Sequence, residues 1–351
     1  MIVGVDIGYG YTKAVGEEEQ VVFPSVVGKA ERIRYQNDLR RADTVRRADT
    51  VRRAGIPEDV PGIALITEEG DRFVGELALL QSRVQWTLLD RSRVEDPSVR
   101  LLFLAALTEL AGDERGPREF RVVTGLPVKW YADRDKVVKQ LAGKHVVRRV
   151  NSRQIVYRFS VPEVLVVPQP FGSLFDTLLG SEGQIVDEDL ARSRLGVIDI
   201  GTYTTDYVLV DGLRYIEKGS GTISTAMSGA YALIGRSVLD TFGLDLRMHE
   251  VDRIVRRGHV TIFGEDRKVD WLARPVLDAV GAEILARAAT LWGDGRDLSA
   301  ILVTGGGAIV LGDRICSRYR HARVLGDAAM ANVRGFQKYG RRKWRALSEE
   351  E

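Results

Sequence analysis

The sequence predicts an α/β protein made of two related domains, and three observations carry that expectation. The first is the stretch Val197-Ile-Asp-Ile-Gly-Thr-Tyr-Thr-Thr-Asp-Tyr-Val-Leu-Val210. Apolar, β-prone residues flank Asp199, a Gly-Thr turn follows, and a second β-prone run returns, which reads as a hairpin. The second is a near copy at the start of the chain, Val3-Gly-Val-Asp-Ile-Gly-Tyr-Gly-Tyr-Thr-Lys-Ala-Val15. Asp6 aligns with Asp199, Gly8 with Gly201 and Thr12 with Thr205, so the chain repeats itself at domain scale. The third is the alternation of short apolar runs with helical patterns over 351 residues, enough chain for two cores.

Each hairpin turn displays a carboxylate, a glycine and hydroxyls. Glycine lets the backbone approach a ligand and point N–H groups at an anion. A carboxylate suits a hydrated Mg²⁺ riding on phosphates. Taken alone, the second stretch also fits a surface hairpin that merely contains Asp and Thr; the copy argues for two halves facing one ligand. The copies differ where chemistry would use a difference. Lys13 stands opposite Asp206, and a lysine neutralises phosphate charge as a point cation.

In the first half, strands are expected at Ile2–Ile7, Tyr11–Val15 and Gln20–Val27, with Pro24 marking an edge or a strand end. A hairpin is expected at Ile63–Thr67 and Arg72–Val74, and helices at 75–83, Pro97–Leu110 and Ala132–Leu141. Further strands are expected at Phe120–Thr124, Val146–Val150 and Ile155–Val167, the last interrupted at Pro162. Pro97 can sit in the first turn of its helix.

Residues 29–56 break this pattern. Arg40–Val45 reads Arg-Arg-Ala-Asp-Thr-Val, and Arg46–Val51 repeats it letter for letter. A six-residue period matches neither helix nor strand, so no single face is apolar. From Lys29 to Ala54 nine Lys/Arg stand against four Asp/Glu. Two readings stay open: a solvated insertion from tandem duplication, or a basic contact surface for a partner or DNA phosphates.

In the second half, 171–179 reads as a helix crossing between domains and Gly180–Asp189 as an acidic loop. Leu213–Lys218 reads as a strand and Thr222–Phe242 as a long helix. Small residues Gly221, Ser224, Ala226 and Gly229 suit either a flat ligand or close helix packing. Trp271–Trp292 reads as an amphipathic helix with its tryptophans in the core. Ala300–Val303 leads into Thr304-Gly305-Gly306-Gly307 and a helix from about Ala308, a nucleotide-compatible arrangement shared by many α/β loops. A last strand (Ala322–Leu325) and helix (Ala328–Tyr339) precede a basic tail, Arg341–Arg345, expected in solvent.

Composition bounds the function. Apolar residues make up 44% and charged residues 28%, ordinary for a globular protein. The net charge of +2 gives no global field toward nucleic acid or membrane. Cys316 is the sole cysteine, which excludes an intrachain disulfide and suits a reducing cytoplasm. The histidines (His145, His249, His259, His321) lack metal-ligand spacing. No apolar run approaches the ~18 residues of a membrane span, and a strand starting at Ile2 leaves no room for a signal peptide. A cytoplasmic location is therefore expected. No Gly-x-x-x-x-Gly-Lys-[Ser/Thr] occurs, which excludes a P-loop, and no Gly-x-Gly-x-x-Gly follows a strand.

What remains is an order of motifs: an Asp/Gly/Lys hairpin, a Val-Pro-Gln-Pro connector, an Asp/Gly/Thr hairpin, then a late triple-glycine turn. That order resembles the actin, sugar-kinase and heat-shock-chaperone ATPase superfamily. Phe23-Pro24-Ser25, Val74-Gly75-Glu76, Thr124-Gly125-Leu126-Pro127 and Ala331-Asn332-Val333-Arg334-Gly335 resemble the actin-like proteins of the ParM (StbA) plasmid-segregation type. The resemblance covers nearly the whole chain except residues 29–56.

The resemblance implies an actin-like ATPase fold, two related α/β domains with a nucleotide cleft between them. Domain I would comprise 1–170 plus 322–351, and domain II 171–321. Asp6 and Asp199 would hold hydrated Mg²⁺. Gly8, Tyr9, Gly10, Tyr11, Thr12 and Lys13 would cradle one side of the phosphates, and Gly201, Thr202, Tyr203 and Thr204 the other. Gly305, Gly306 and Gly307 would back the adenosine. Gln169 stands where the family often carries a glutamate that orients the attacking water; glutamine positions water but cannot act as a base.

The implied function is a filament-forming ATPase using Mg²⁺ and ATP or GTP, in plasmid segregation or a related cytoskeletal role. Its partners would be copies of itself and a DNA-bound adaptor. Two rivals remain open: a small-molecule kinase of the same superfamily and a non-polymerising nucleotide-dependent adaptor.

Overall fold

Ile2–Ile7 is buried along nearly its whole length, the signature of a central strand. Its partner Tyr11–Val15 alternates partly exposed with buried, as a strand with one solvated face does. These are β1 and β2 of a computed structural model that describes residues 1–33, 63–67, 70–87, 95–112, 117–150 and 154–348. The Arg-Arg-Ala-Asp-Thr-Val repeat at 40–53 lies outside the described residues. The chain packs as two compact units, Met1–Thr124 with Asp133–Val166, and Gly125–Ala132 with Val167–Glu351.

The first unit is built on a ten-stranded sheet. After β1 and β2 come β3 (Gln20–Pro24), β4 (Val26–Lys29), β5 (Ile63–Thr67), β6 (Gly70–Val74), β7 (Gln85–Thr87), β8 (Pro117–Leu126), β9 (Gly143–Val150) and β10 (Gln154–Pro168). Their order is β3-β2-β1-β8-β10-β9-β5-β6-β4-β7, with β1 antiparallel to β2 and parallel to β8. The helices are α1 (Glu76–Gln81), α2 (Pro97–Ala111) and α3 (Arg134–Leu141). The start of α2 follows from its sequence: Pro97 opens it and the Asp96 carboxylate accepts the Ser98 N–H at 2.7 Å. The expected strand Gln20–Val27 divides at Ser25, because Pro24 ends β3, which is a sheet edge as its proline predicted. Pro162 does not interrupt β10, which runs unbroken past it.

The second unit contains α4 (Pro170–Leu178), α5 (Glu188–Arg192), β11 (Arg194–Ile200), β12 (Thr205–Asp211), β13 (Arg214–Tyr215), β14 (Gly221–Ile223), α6 (Met227–Phe242) and α7 (Met248–Arg257). Then follow β15 (His259–Ile262), β16 (Glu265–Lys268), α8 (Asp270–Trp292), β17 (Ala300–Thr304), α9 (Ala308–Arg318), β18 (Ala322–Val324) and α10 (Ala331–Ser348). Its main sheet runs β13-β12-β11-β17-β18, with β14 also paired to β12. One core layer sets Ile198, Ile200, Tyr207 and Ile301 against α6 to α9; the other sets Val197, Val208 and Leu302 against Leu174 and Leu178 of α4. Alternate residues of β11 thus face opposite layers.

Several expectations change here. The expected strand Leu213–Lys218 is only the two-residue β13, followed by a 3₁₀ turn at Glu217–Gly219. The expected helix from Thr222 starts at Met227, because Gly221–Ile223 adds to β12 instead. The acidic loop contains α5, whose first turn is capped by the Asp187 carboxylate. Arg341–Arg345 is no solvated tail but continues α10, which buries Trp344. Trp292 is buried and donates Nε1–H to the Gly219 carbonyl at 2.7 Å, but Trp271 is 61% exposed. Of the segment 322–351 expected with the first half, the described residues 322–348 lie in the second unit, where α10 packs against α4. There Arg334 and Lys338 both hold Asp176, at 2.6 and 2.8 Å, and Tyr339 stacks on Phe175. Gly335 permits the close crossing, since a Cβ there would sit 1.7 Å from the Gly172 carbonyl oxygen.

Candidate functional site

The two predicted hairpins are the same device built twice. In the first, Asp6 pairs with Lys13 and Ile7 with Thr12 across β1 and β2. In the second, Asp199 pairs with Asp206 and Ile200 with Thr205 across β11 and β12. Gly8 N–H donates to the Tyr11 carbonyl at 3.1 Å, and Gly201 N–H donates to the Thr204 carbonyl at 2.9 Å. A Cβ on either glycine would lie 2.8 or 2.9 Å from that same carbonyl oxygen. Sequence alignment and backbone geometry therefore agree residue for residue.

In the first hairpin Asp6 is 3% exposed and the Lys13 ammonium lies 3.8 Å from its carboxylate. The predicted phosphate lysine is thus already balanced by the predicted metal carboxylate. Tyr9 and Thr12 are buried and Gly10 and Tyr11 partly so. Ser25 braces the turn: its hydroxyl donates to the Gly8 carbonyl at 2.6 Å and lies 2.9 Å from the Thr12 hydroxyl, while its N–H donates to the Gly10 carbonyl at 2.9 Å. That is the local reason for the Phe23-Pro24-Ser25 run, since Pro24 ends the edge strand and turns the chain under the loop.

In the second hairpin Asp199 is 4% exposed, and its carboxylate accepts the Asn332 side-chain N–H at 2.6 Å. The Asn332 side-chain oxygen Oδ1 accepts the Ser173 N–H at 3.0 Å and the Ser173 hydroxyl. Ser173 also meets the Thr304 hydroxyl at 2.7 Å. The chain of contacts thus joins β11, α10, α4 and β17 at one carboxylate. The predicted glycine turn arrives at the same place. Gly305 has φ +86°, and a Cβ there would lie 2.3 Å from Asp199 Oδ1. Gly307 N–H donates to the Ile200 carbonyl at 2.8 Å. Asp199, Gly305 and Gly307 are therefore brought together within one unit.

The turn is tied to α6 as well. Ser228 N–H donates to the Thr202 carbonyl at 2.7 Å, and Thr205 Oγ1 donates to the Thr225 carbonyl at 2.7 Å. Asp206, the counterpart of Lys13, is 2% exposed and accepts the Val128 N–H at 2.9 Å and the hydroxyls of Thr222 and Thr204. Thr204 therefore directs its proton at Asp206. Burial pushes the Tyr203 hydroxyl above its ordinary pKa. A cavity of about 600 Å³ opens beside this turn, lined by Tyr203, Ser228, Ala232, Arg236, Asp245 and Met248 among others.

Gln169 immediately precedes α4; its N–H donates to the Leu126 carbonyl at 2.7 Å and its carbonyl accepts the Gly172 N–H at 3.0 Å. It lies one helical turn before Ser173, on the element that holds Asn332. Gly306 accepts from Arg256 of α7 at 3.2 Å, and Arg256 is held by Asp252 at 2.8 Å, which also accepts from Tyr231. Sequence reasoning missed Ser173, Asp252, Arg256 and Tyr231 altogether, and named Asn332 and Ser25 only within runs. Asn332 lies 133 residues from Asp199, so no local pattern announces their contact. Among the described residues no group of three or more His, Cys, Asp or Glu gathers as a metal cluster.

The family models agree with this architecture. Residues 4–172 match the model described as Actin like proteins N terminal domain. Residues 197–317 match Archaeal actin homologue MreB-like, C-terminal. No curated protein matches by sequence. Among solved structures, Ta0583, an archaeal actin homolog in complex with ADP, aligns at TM-score 0.75 with 18% identity, covering 100% of this chain and 99% of that one. A subunit of a 15-stranded ParM filament from Clostridium botulinum aligns at TM-score 0.74 with 19% identity, covering 97% and 98%. The actin-like protein Alp7A aligns at TM-score 0.76 with 16% identity, covering 99% and 98%. With both hairpins, the glycine turn and both family models in agreement, the chain belongs to the actin-like proteins.

Proposed function

We propose that this protein is an ATPase that assembles with copies of itself under nucleotide control. The observation that carries the reading is the twin hairpin, with Asp6 and Asp199 buried at equivalent positions before equivalent turns. The ADP complex of Ta0583 and the ParM filament of Clostridium botulinum lend support, as proteins of the same fold.

Asp6 and Asp199 are the proposed Mg²⁺ ligands. Both fit the ion. Each is a carboxylate at a strand end, and the space beside Asp199 Oδ1 survives only because residue 305 lacks a Cβ. Mg²⁺ on one or two carboxylates keeps most of its waters and rides on substrate phosphates; when bound it neutralises phosphate charge. The Gly8 and Gly201 N–H groups are held within their own hairpins, so the turn residues that follow them are proposed to offer backbone N–H groups, Lys13 a cation, and Gly305–Gly307 the nucleoside backing. The cavity beside Tyr203 is large enough for a nucleoside. Gln169 is proposed to orient the attacking water, held by prolines on both sides and by its backbone bond to Leu126. Filament use in plasmid segregation, a DNA-bound adaptor and a cytoplasmic setting are proposed from the resemblance.

Light scattering and pelleting with ATP, GTP, ADP or no nucleotide test the whole reading. Assembly above a critical concentration with Mg-ATP, reversed by ADP, is the expected result. A protein that stays monomeric with ATP and phosphorylates a small molecule would instead be a kinase.

A further inference from the structure

The hairpin of β15 and β16 ends in a residue that its own chain gives no reason to have. Ile262 pairs with Glu265, so the loop is the two residues Phe263 and Gly264. Both have positive φ, +51° and +83°. Such loops take Asn, Asp or Gly at the first position, because a bulky side chain at positive φ is strained. Phe263 nonetheless holds that position, and at 103% its side chain is completely exposed. It gains neither conformation nor packing there.

The finger carrying it is firmly based. Val260 is buried in the core, Ile262 packs partly against it, and Val269 N–H donates to the Gly258 carbonyl at 3.0 Å to close the base. Trp271, 61% exposed, stands in the first turn of α8 just beyond. Of the described residues, only Trp86 joins these two as a Phe or Trp of comparable exposure. The stalk is neutral: Glu265 and Asp266 offset Arg267 and Lys268, with Arg267 paired to Glu265 and the Asp266 carboxylate taking Thr261 and His259. A neutral stalk gives no attraction to nucleic acid or an anionic membrane. Aromatic anchors on a rigid support are what protein interfaces bury.

We propose that Phe263, with Trp271 at its base, is the anchor that a second copy of this chain receives during assembly. The inference rests on the assembly reading above. A projecting tip must be received by a different, concave patch of the other copy; where tip and patch lie on separate faces the contact is heterologous, and repeated from copy to copy it need not close and propagates. A closed two-fold dimer would instead need tip and receiving patch to meet reciprocally across one shared interface.

Phe263→Asn tests this cleanly, because asparagine is at home in the turn. The variant should melt at or above the wild-type temperature and bind nucleotide with unchanged affinity. In pelleting with a slowly hydrolysed ATP analogue its critical concentration should rise at least ~10-fold. Phe263→Trp should assemble as wild type, and Trp271→Ala should show a smaller rise. A Phe263→Asn protein that assembles at the wild-type critical concentration overturns the inference, as does one that loses stability or nucleotide binding together with assembly. If the wild-type protein itself never assembles, the underlying assembly reading fails and the inference with it. If the wild type assembles and the variant matches it, only the inference falls.

Discussion

The first hairpin and the second share a register and a turn, yet they hold their carboxylates in different ways. Asp6 sits beside a lysine that comes from its own partner strand, 3.8 Å away. Asp199 is gripped by Asn332, which belongs to α10 and is itself gripped by Ser173 of α4. At the position facing the carboxylate, the first hairpin has Lys13 and the second has Asp206, sealed by a backbone N–H and two hydroxyls. At the position facing its carboxylate, one backbone device thus carries a cation in the first copy and an internally bonded carboxylate in the second. The backbone supplies the shape, and the facing side chain decides whether the hairpin carries a cation beside its carboxylate or a second carboxylate satisfied within its unit.

The largest effects should come where the two copies are alike. Asp6→Ala and Asp199→Ala should each lower Mg-dependent nucleotide turnover at least ~100-fold, about 2.7 kcal/mol of barrier. Steady-state assays of both variants alongside thermal melts check this. Full turnover in either variant would break the equivalence of the hairpins.

Next come the facing positions, where only the first copy should respond in nucleotide affinity. Asp206→Ala leaves the Val128 N–H and two hydroxyls without their acceptor in a buried site, and should cost about 2–3 kcal/mol in urea denaturation. Lys13→Met takes the cation from beside the buried Asp6, so it should cost about 1–3 kcal/mol of stability and, unlike Asp206→Ala, also weaken nucleotide affinity about tenfold, as titration would measure. An unchanged nucleotide affinity in Lys13→Met would erase the distinction drawn between them.

Gln169→Ala should retain nucleotide affinity and slow hydrolysis about tenfold, some 1.4 kcal/mol, in single-turnover measurements. An unchanged rate assigns Gln169 to the start of α4 alone. The smallest effect belongs to the brace that only the first hairpin has. Ser25→Ala removes the hydroxyl bonded to Gly8 and Thr12 and should cost about 1 kcal/mol of stability, with the second unit unaffected in hydrogen exchange.

Local pattern was sufficient for some parts and helpless for others. Both hairpins were legible because β-prone apolar runs, a turn glycine and a flanking carboxylate all lie within one short stretch. The start of α6 was not: Thr222 follows small residues that read as helix, but the free edge of β12 captured Gly221–Ile223 first. Arg341–Arg345 looked solvated from composition, yet Trp344 among them is buried and draws the segment into α10. Trp271 looked like core by helical spacing and lies in solvent, because α8 buries Ala273, Leu277, Gly281 and Ile284 instead.

By itself the sequence determined the repeated hairpin, the three glycine turns and the alternation of strand and helix. These rest on interactions between near neighbours, which residue order encodes directly. Tertiary structure alone decided what surrounds Asp199. Asn332, Ser173 and the neighbours Thr304 and Gly305 come from three separate segments, and their meeting depends on α10 crossing α4 at Gly335 and on β17 lying parallel to β11. Contacts across more than a hundred residues follow from how elements pack. A buried carboxylate requires partners there, without its local sequence naming which segments will supply them.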